Sequence, residues 1–523
     1  MTAPTNATDF SHYLPPGVYM NPQPGPQLAV NPSQPTAVGI IGQTLGYRTY
    51  IQTIQINPDT DDTHPSLTQT LAQQGINTAS LTVTNPNSGQ VYVLNTDYTI
   101  VNVGGTNGTA NALYAISRVI DGGHIDEGDY IQVAYQYTDT TYYDPYIFYD
   151  YADIQQAYGL PYNLQTGAIQ SGLTLMAKFA FLNGAHQVVA CAVKSSTTPG
   201  NATVGDYGDA LDKLSNQQLI AVVVADTGTQ PLHQLIQEHV DQQSAARMER
   251  RAIVAVDGTV TPVASSQRVT DAQSITDSRV LMVCPATFNY FSPEINQATV
   301  LGGQFMAAAL AGLTVAQSFA MPLTRKVIAG FTGVAELEPE GQKSLESQNG
   351  LCVIEKTRTN LIQVRHGVTT NPTDLLSREW SIIGQQDAMV YRLRDYLESD
   401  NLIGQPIYPF TLTNVKGSAD AALQSLIRDG LIVDYTGLKV RQLLTNPDVL
   451  EVSFGWLPAF PLNYIVCTFS VSLSTGNVTS NSGTGSNSAN VTSTSATSTV
   501  GIGVPDSSTI NDFGGPSNTL QSV

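Results

Sequence analysis

Three glutamates, Glu336, Glu338 and Glu340, alternate with Leu337 and Pro339, and closely spaced carboxylates are the groups from which acid–base pairs are built. A working pair needs one carboxyl in an apolar pocket and the other solvated, so that their proton affinities separate. Alternation with Leu337 and Pro339 predicts instead an exposed loop or the start of a helix, where acids favour the dipole. Among the seven histidines, His124, His186, His233, His239 and His366 show no ligand spacing. His233 and His239 are six apart, whereas two metal ligands on one helix face need three or four. They are expected to be solvated or capping. Asp226-Thr227-Gly228-Thr229 follows an apolar run as a phosphate loop would, but it lacks the lysine and reads as a turn leading into a helix. No dinucleotide fingerprint follows any candidate strand, and neither a complete phosphate-loop motif nor a nucleophile elbow is present. The four cysteines, Cys191, Cys284, Cys352 and Cys467, form no Cys-x-x-Cys pair and are expected as buried free thiols. No nucleophile, base and stabiliser can be named together, so neither catalysis nor any cofactor or metal is expected.

The elements that would position such groups are many. A chain of 523 residues with 41% hydrophobic content is too long for one core and predicts two to four domains. Charged residues make up 12%, against about 25% in ordinary soluble domains, and neutral polar residues take their place. Such a surface suits a protein packed against copies of itself. The net charge of −19 argues against a nucleic-acid groove, which needs a surplus of cations at its face. The basic run Arg247 to Arg251 is read as the end of a helix, where cations complement the dipole. Met1 to Pro16 shows no secretory pattern. Residues 297–320 are the only long apolar stretch. Gln297, Thr299, Gln304, Thr314, Gln317 and Ser318 interrupt it, which predicts a buried or subunit-facing helix and no membrane insertion.

Along the chain, residues 1–45 are proline-rich and extended, and Ala37 to Ile41 reads as a first strand. Residues 46–145 carry period-two alternation at Leu81 and Val83, Val91 and Val93, Tyr98 to Val103, and Ile131 to Tyr137. Turn residues punctuate it, which predicts a small antiparallel β-domain inserted into the chain. Residues 146–322 alternate strands, Val188 to Val193, Leu219 to Ala225, Ala252 to Val256 and Val280 to Cys284, with helices starting near Asp206, Gln230 and Thr270. The order predicts a mixed or parallel α/β sheet. Before the first of these strands, Asn183 or Gly184 should supply a left-handed helix cap. Residues 323–475 predict an α+β domain. Met389, Leu393, Tyr396 and Leu397 share one helix face, as do Ala422, Leu423, Leu426 and Ile427, and strands at Leu450 to Phe454 and Tyr464 to Leu473 follow. In the last strand Ile465, Cys467, Phe469 and Val471 share an apolar face expected to be buried in a sheet. Residues 476–523 are polar and low in charge, a composition that forms no core. The fold class is therefore α+β multidomain: a mixed α/β central region, an α+β carboxy-terminal domain, an inserted β-domain and extended terminal arms.

The ordered set Gly302, Ala311-Gly312, Thr324-Arg325-Lys326, Gly367-Val368-Thr369-Thr370, Asp387, Leu397-Glu398 and Ile403-Gly404 resembles the conserved half of contractile-tail sheath proteins. Pro16-Gly17-Val18-Tyr19 is similar to a signature near the start of many of them. The resemblance implies a mechanical protein without cofactor, a homo-oligomer of hexameric rings stacked helically round a tail tube protein, with baseplate and tail terminator proteins at its ends. It implies a place in a virion tail, assembly in host cytoplasm, and contraction driven by repacked interfaces. It also implies terminal arms that add strands to neighbouring subunits, which assigns inter-subunit strand exchange to Pro16, Gly17, Val18 and Tyr19 at one end and Ile465, Cys467, Phe469 and Val471 at the other. A passive capsid or surface protein is the alternative, and an α/β enzyme a more distant one.

Overall fold

The computed structural model describes residues 35–58, 70–107, 109, 111–137, 141–195, 201–258, 264–399 and 402–469. Pro16, Gly17, Val18, Tyr19 and Val471 lie outside them. Two compact units divide the chain, Met1–Pro461 and Leu462–Val523, the second described only over residues 462–469.

All six residues of the strand Ala37–Gly42 are buried. A run without polar alternation needs cover on both faces, and it finds this inside an eight-stranded sheet. Its parallel neighbours are Val188–Ala192 on one side and Ile220–Ala225 on the other. The parallel order continues through Arg251–Ala255, Val280–Cys284 and Leu351–Lys356. Antiparallel strands Ile362–Val364 and Tyr146–Phe148 close the two ends. All four strands expected in the central region are present, with the helices Val204–Leu214, Gln230–Ala245 and Ser265–Ile275 between them. Val38, Ile40, Val222, Val224 and Leu281 pack with helices Gly172–Leu182 and Gly303–Val315. Ile41, Val223, Val254 and Met282 pack with the other three helices. The result is a helix–sheet–helix sandwich.

Residues 48–137 form an antiparallel module. Arg48–Gln55, Tyr130–Tyr137, Ile76–Thr84 and Val91–Tyr92 make one sheet, and Tyr98–Gly104 pairs with Leu113–Arg118. Its own core is rich in tyrosine, with Tyr98, Tyr114 and Tyr135 beside Ile54, Val83, Ile131 and Val133. Further along, helices Trp380–Ser399 and Pro409–Arg428 share a core with the hairpin Ile432–Gln442 and Leu450–Pro458.

Several expectations change. The stretch 297–320 is not one helix. Gln297–Gly302 is a strand paired with Thr287–Ser292, and the helix is Gly303–Val315. Polar Gln297 and Thr299 alternate with Ala298 and Val300, and a two-residue period outweighs the overall apolar character. Gly184, at φ +99°, takes the left-handed position after helix Gly172–Leu182. Asn183 keeps a negative φ and donates its amide to the carbonyls of Phe179 and Ala329. The strand at 464–473 is not formed over its described part. Residues 459–469 belong to no helix or strand, and Ile465 and Phe469 are 76% and 78% exposed. Cys467 is exposed, while Cys191, Cys284 and Cys352 are buried.

Gly312 lies where helices Gly303–Val315 and Gly172–Leu182 meet. A β-carbon there would fall 2.2 Å from the carbonyl oxygen of Ala180. Gly312→Ala must push two buried helices apart and should cost about 1–3 kcal/mol, read as a lower urea midpoint at unchanged m. An unchanged midpoint would show that this contact is not made.

Candidate functional site

Helix Gln230–Ala245 ends, the chain turns with Arg247 at φ +71°, and strand Arg251–Ala255 begins at once. The basic run follows the end of a helix as expected, and from Glu249 onward it is carried into the interior. Arg250 is buried and donates to the carbonyls of Leu214 and Gln217, with His239 Nε2 3.0 Å away. Arg251 stacks 4.4 Å over the ring of Trp380 and donates to its carbonyl.

Helix Trp380–Ser399 meets this run along one stripe. Asp387 accepts from Arg279 Nη1 at 3.0 Å and pairs with Arg251 Nε at 3.5 Å, all three largely shielded from water. Tyr391 donates its hydroxyl to the carbonyl of Glu249 at 2.6 Å. Arg394 donates to the carbonyl of Arg247 at 3.0 Å and stands 3.8 Å from the Glu249 carboxylate. Glu398 pairs with Arg247. Positions 387, 391, 394 and 398 follow the three- and four-residue spacing of a single helix face. The opposite face carries Met389, Leu393 and Leu397 toward helix Pro409–Arg428. One helix thus holds the sheet with charges and the terminal unit with apolar packing.

Burial pulls the Arg251 and Arg394 guanidiniums down to about 10, against the opposing pull of Asp387 and Glu249 respectively. It pushes the Glu249 carboxyl up to about 7, with Arg394 opposing. At 3.8 Å the Glu249–Arg394 attraction does not offset what both groups lose on leaving water. The Gly367-Val368-Thr369-Thr370 segment adds neutral stitches to the same joint. Thr370 N donates to the carbonyl of Val280, the Thr370 hydroxyl donates to the carbonyl of Asp277, and the Thr369 hydroxyl donates to that of Ser377.

The glutamate cluster also differs from expectation. Glu336 and Glu338 are not an exposed loop: both pair with buried Arg268, which also reaches Glu346 at 3.2 Å. Glu340 begins helix Glu340–Gln348 as expected and pairs with Arg365 at 2.5 Å. Ligand atoms of Cys284, Glu338 and Glu346 lie within 4.8 Å of one another, but the Arg268 guanidinium contacts all three. That guanidinium takes the place a cation would need.

Ligands of α/β sheets commonly bind beyond the carboxy ends of the strands. Here Asp226, directly after strand Ile220–Ala225, accepts from the Tyr207 hydroxyl at 2.5 Å and Gln43 N at 2.7 Å. Gly172 packs so closely that a β-carbon on it would fall 2.3 Å from the Asp226 carboxylate. The chain's own carboxylate fills that position, and burial pushes it up to about 6 against the pull of Tyr207 and Gln43. Thr229 N-caps helix Gln230–Ala245, so the turn leads into a helix as expected. His233 and His239 are buried, not solvated. Burial pushes them down to about 4 and about 3, with Arg250 adding to the effect at His239.

Of the residues assigned to strand exchange, Ile465, Cys467 and Phe469 are described, exposed, and in no strand. The sequence reading missed Arg279, Trp380 and Tyr391. The polar stripe at 387, 391, 394 and 398 was the available signal.

The sequence is 44% identical over 575 aligned positions to the tail sheath protein of Mycobacterium phage Bxz1, covering 91% of this chain and 98% of that protein. No family model matches the chain. Among solved structures, a chain of the six-fold symmetrised baseplate of the anti-feeding prophage superposes with a TM-score of 0.50 at 12% identity, over 64% of this chain and 89% of that one. The contracted helical sheath of the same particle gives a TM-score of 0.49 at 13% identity, over 62% and 88%.

Asp387→Ala would leave Arg251 and Arg279 buried without their counter-charge and should cost about 3–5 kcal/mol. Glu398→Ala removes a half-exposed pair and should cost less than about 1 kcal/mol. Chemical denaturation of the two variants measures both, and equal losses would contradict the central place given to Asp387.

Proposed function

The chain belongs to the contractile tail sheath family, and on that premise we propose that its two terminal segments join each subunit to its neighbours. As a sheath protein it is structural and not catalytic, polymerises, and contracts as part of the virion tail. The passive capsid and enzyme alternatives fall with that identity. In the proposed assembly, hexameric rings stack helically around a tail tube protein, between a baseplate and a tail terminator. Contraction consumes no nucleotide, because the work comes from exchanging one set of subunit interfaces for another.

One observation carries the strand-exchange reading. Leu462, Tyr464, Ile465, Val466 and Phe469 are all exposed within one short segment, and soluble monomers rarely leave contiguous apolar runs bare. The hairpin Ile432–Gln442 and Leu450–Pro458 is only two strands wide, so each strand has an edge unpaired among the described residues. Such an edge accepts an added strand through main-chain hydrogen bonds. The segment around Ile465, Cys467, Phe469 and Val471, and the arm around Pro16, Gly17, Val18 and Tyr19, are the proposed donors to a neighbour's hairpin. Residues 323–475 form the proposed inner layer facing the tube, and the module within residues 46–145 points outward.

Phe469→Asp should abolish sheath pelleting while leaving the melting of the unassembled subunit unchanged, because the side chain is exposed. Removal of residues 480–523 should leave pelleting intact. Sheaths formed by Phe469→Asp would sink the donor assignment. An epitope inserted at the Asn87-Ser88 turn should be open to antibody on assembled sheaths, and an epitope hidden there would place the module inward.

A further inference from the structure

Glu249 combines three properties rarely found together in a carboxylate. Its side chain is fully buried, neither oxygen accepts a hydrogen bond from another residue, and the cation paired with it, Arg394, is 3.8 Å away. Asp387, on the same helix as Arg394, is by contrast held by two arginines. The charged and titratable groups facing Glu249 come from three elements: Asp387, Tyr391 and Arg394 from helix Trp380–Ser399, Arg279 from the turn before strand Val280–Cys284, and Arg250 from its own segment. Moving that helix away from the strand is the direct way for water to reach the Glu249 carboxylate.

We propose that Glu249 is a proton-operated latch on the joint between the eight-stranded sheet and helix Trp380–Ser399. With a proton taken from solvent it is neutral, and the helix seats dry against the sheet. With the proton released it is an anion in an unsolvated position, and the joint shifts toward an open state that hydrates it.

The sign follows from linkage. Burial raises Glu249 to about 7 in the closed joint, against about 4.3 for a solvated glutamate. Closure therefore binds a proton. The stability Glu249 contributes is fully present below the solvated value and is lost as pH rises through about 7. Asp226 and Asp241, raised to about 6 and about 7, give the wild type further dependences of the same sign, so the latch is read as a difference between variants. The inference concerns the fold of one subunit and does not depend on how subunits assemble.

Glu249→Gln fixes the neutral form with nearly the same shape. The advantage of Glu249→Gln over the wild type in the thermal midpoint of the unassembled full chain should be smallest near pH ~4, grow as pH rises to about 7, and level off above it. A difference constant with pH overturns the proposal. Hydrogen exchange gives the second test and needs no variant. After correction for intrinsic rates, amides of residues 387–398 in the wild type should lose protection severalfold as pH rises through neutrality, while those of strand Ile220–Ala225 do not. Protection in 387–398 that is independent of pH would also overturn it.

Discussion

Asp387 is out of contact with water between Arg279 and Arg251, and much of the architecture follows from keeping it there. Stripping two charges of water costs several kcal/mol for each ion, and their attraction repays this only when the geometry is close and fixed. The strands Arg251–Ala255 and Val280–Cys284 pair in parallel, which sets Arg251 and Arg279 side by side at the amino-terminal ends of two interior strands. The helix Trp380–Ser399 then has one seating that satisfies both. Its other face builds the terminal core with helix Pro409–Arg428 and the hairpin, so the position of the proposed subunit-joining surface is tied to the central sheet through one carboxylate.

Legibility in the sequence depended on what each segment does locally. The strands Val188–Ala192, Ile220–Ala225, Arg251–Ala255 and Val280–Cys284 stand out because burial on both faces demands unbroken apolar runs. The alternation of Tyr130–Tyr137 stands out because one face is wet. Arg48–Gln55, in contrast, carries threonine or glutamine at four of its eight positions, and its place in the sheet comes from register with Tyr130–Tyr137, a long-range property. The burial of the arginines at 250 and 251 was illegible for the same reason. A charged side chain signals exposure unless its partner is known, and the partners of Arg251, Asp387 and Trp380, lie about 130 residues away. Glu336 and Glu338 hid their partner Arg268 in the same way. Of the residues proposed for strand exchange, Ile465 and Phe469 stand in an apolar alternation in the sequence, and a chain considered alone cannot bury a surface whose proposed cover is another copy.

The composition fits a protein that must change neighbours. Only 12% of its residues are charged, and a surface of hydroxyls and amides gives up one set of contacts for another without the large desolvation terms of ions. Two groups of ions lie inside, around Asp387 and around Arg268, where they fix the subunit's own geometry. Interfaces that slide and a subunit held by directional internal pairs are complementary requirements of a machine driven by repacking.

Electron cryomicroscopy of the purified full-length chain under polymerising conditions tests the central claim most directly. The account predicts hollow tubes with a helical repeat, in which residues 464–473 of one subunit run as an added strand along the hairpin Ile432–Gln442 and Leu450–Pro458 of another. Discrete particles without a helical repeat, or tubes in which residues 464–473 fold back onto their own subunit's hairpin, would contradict it.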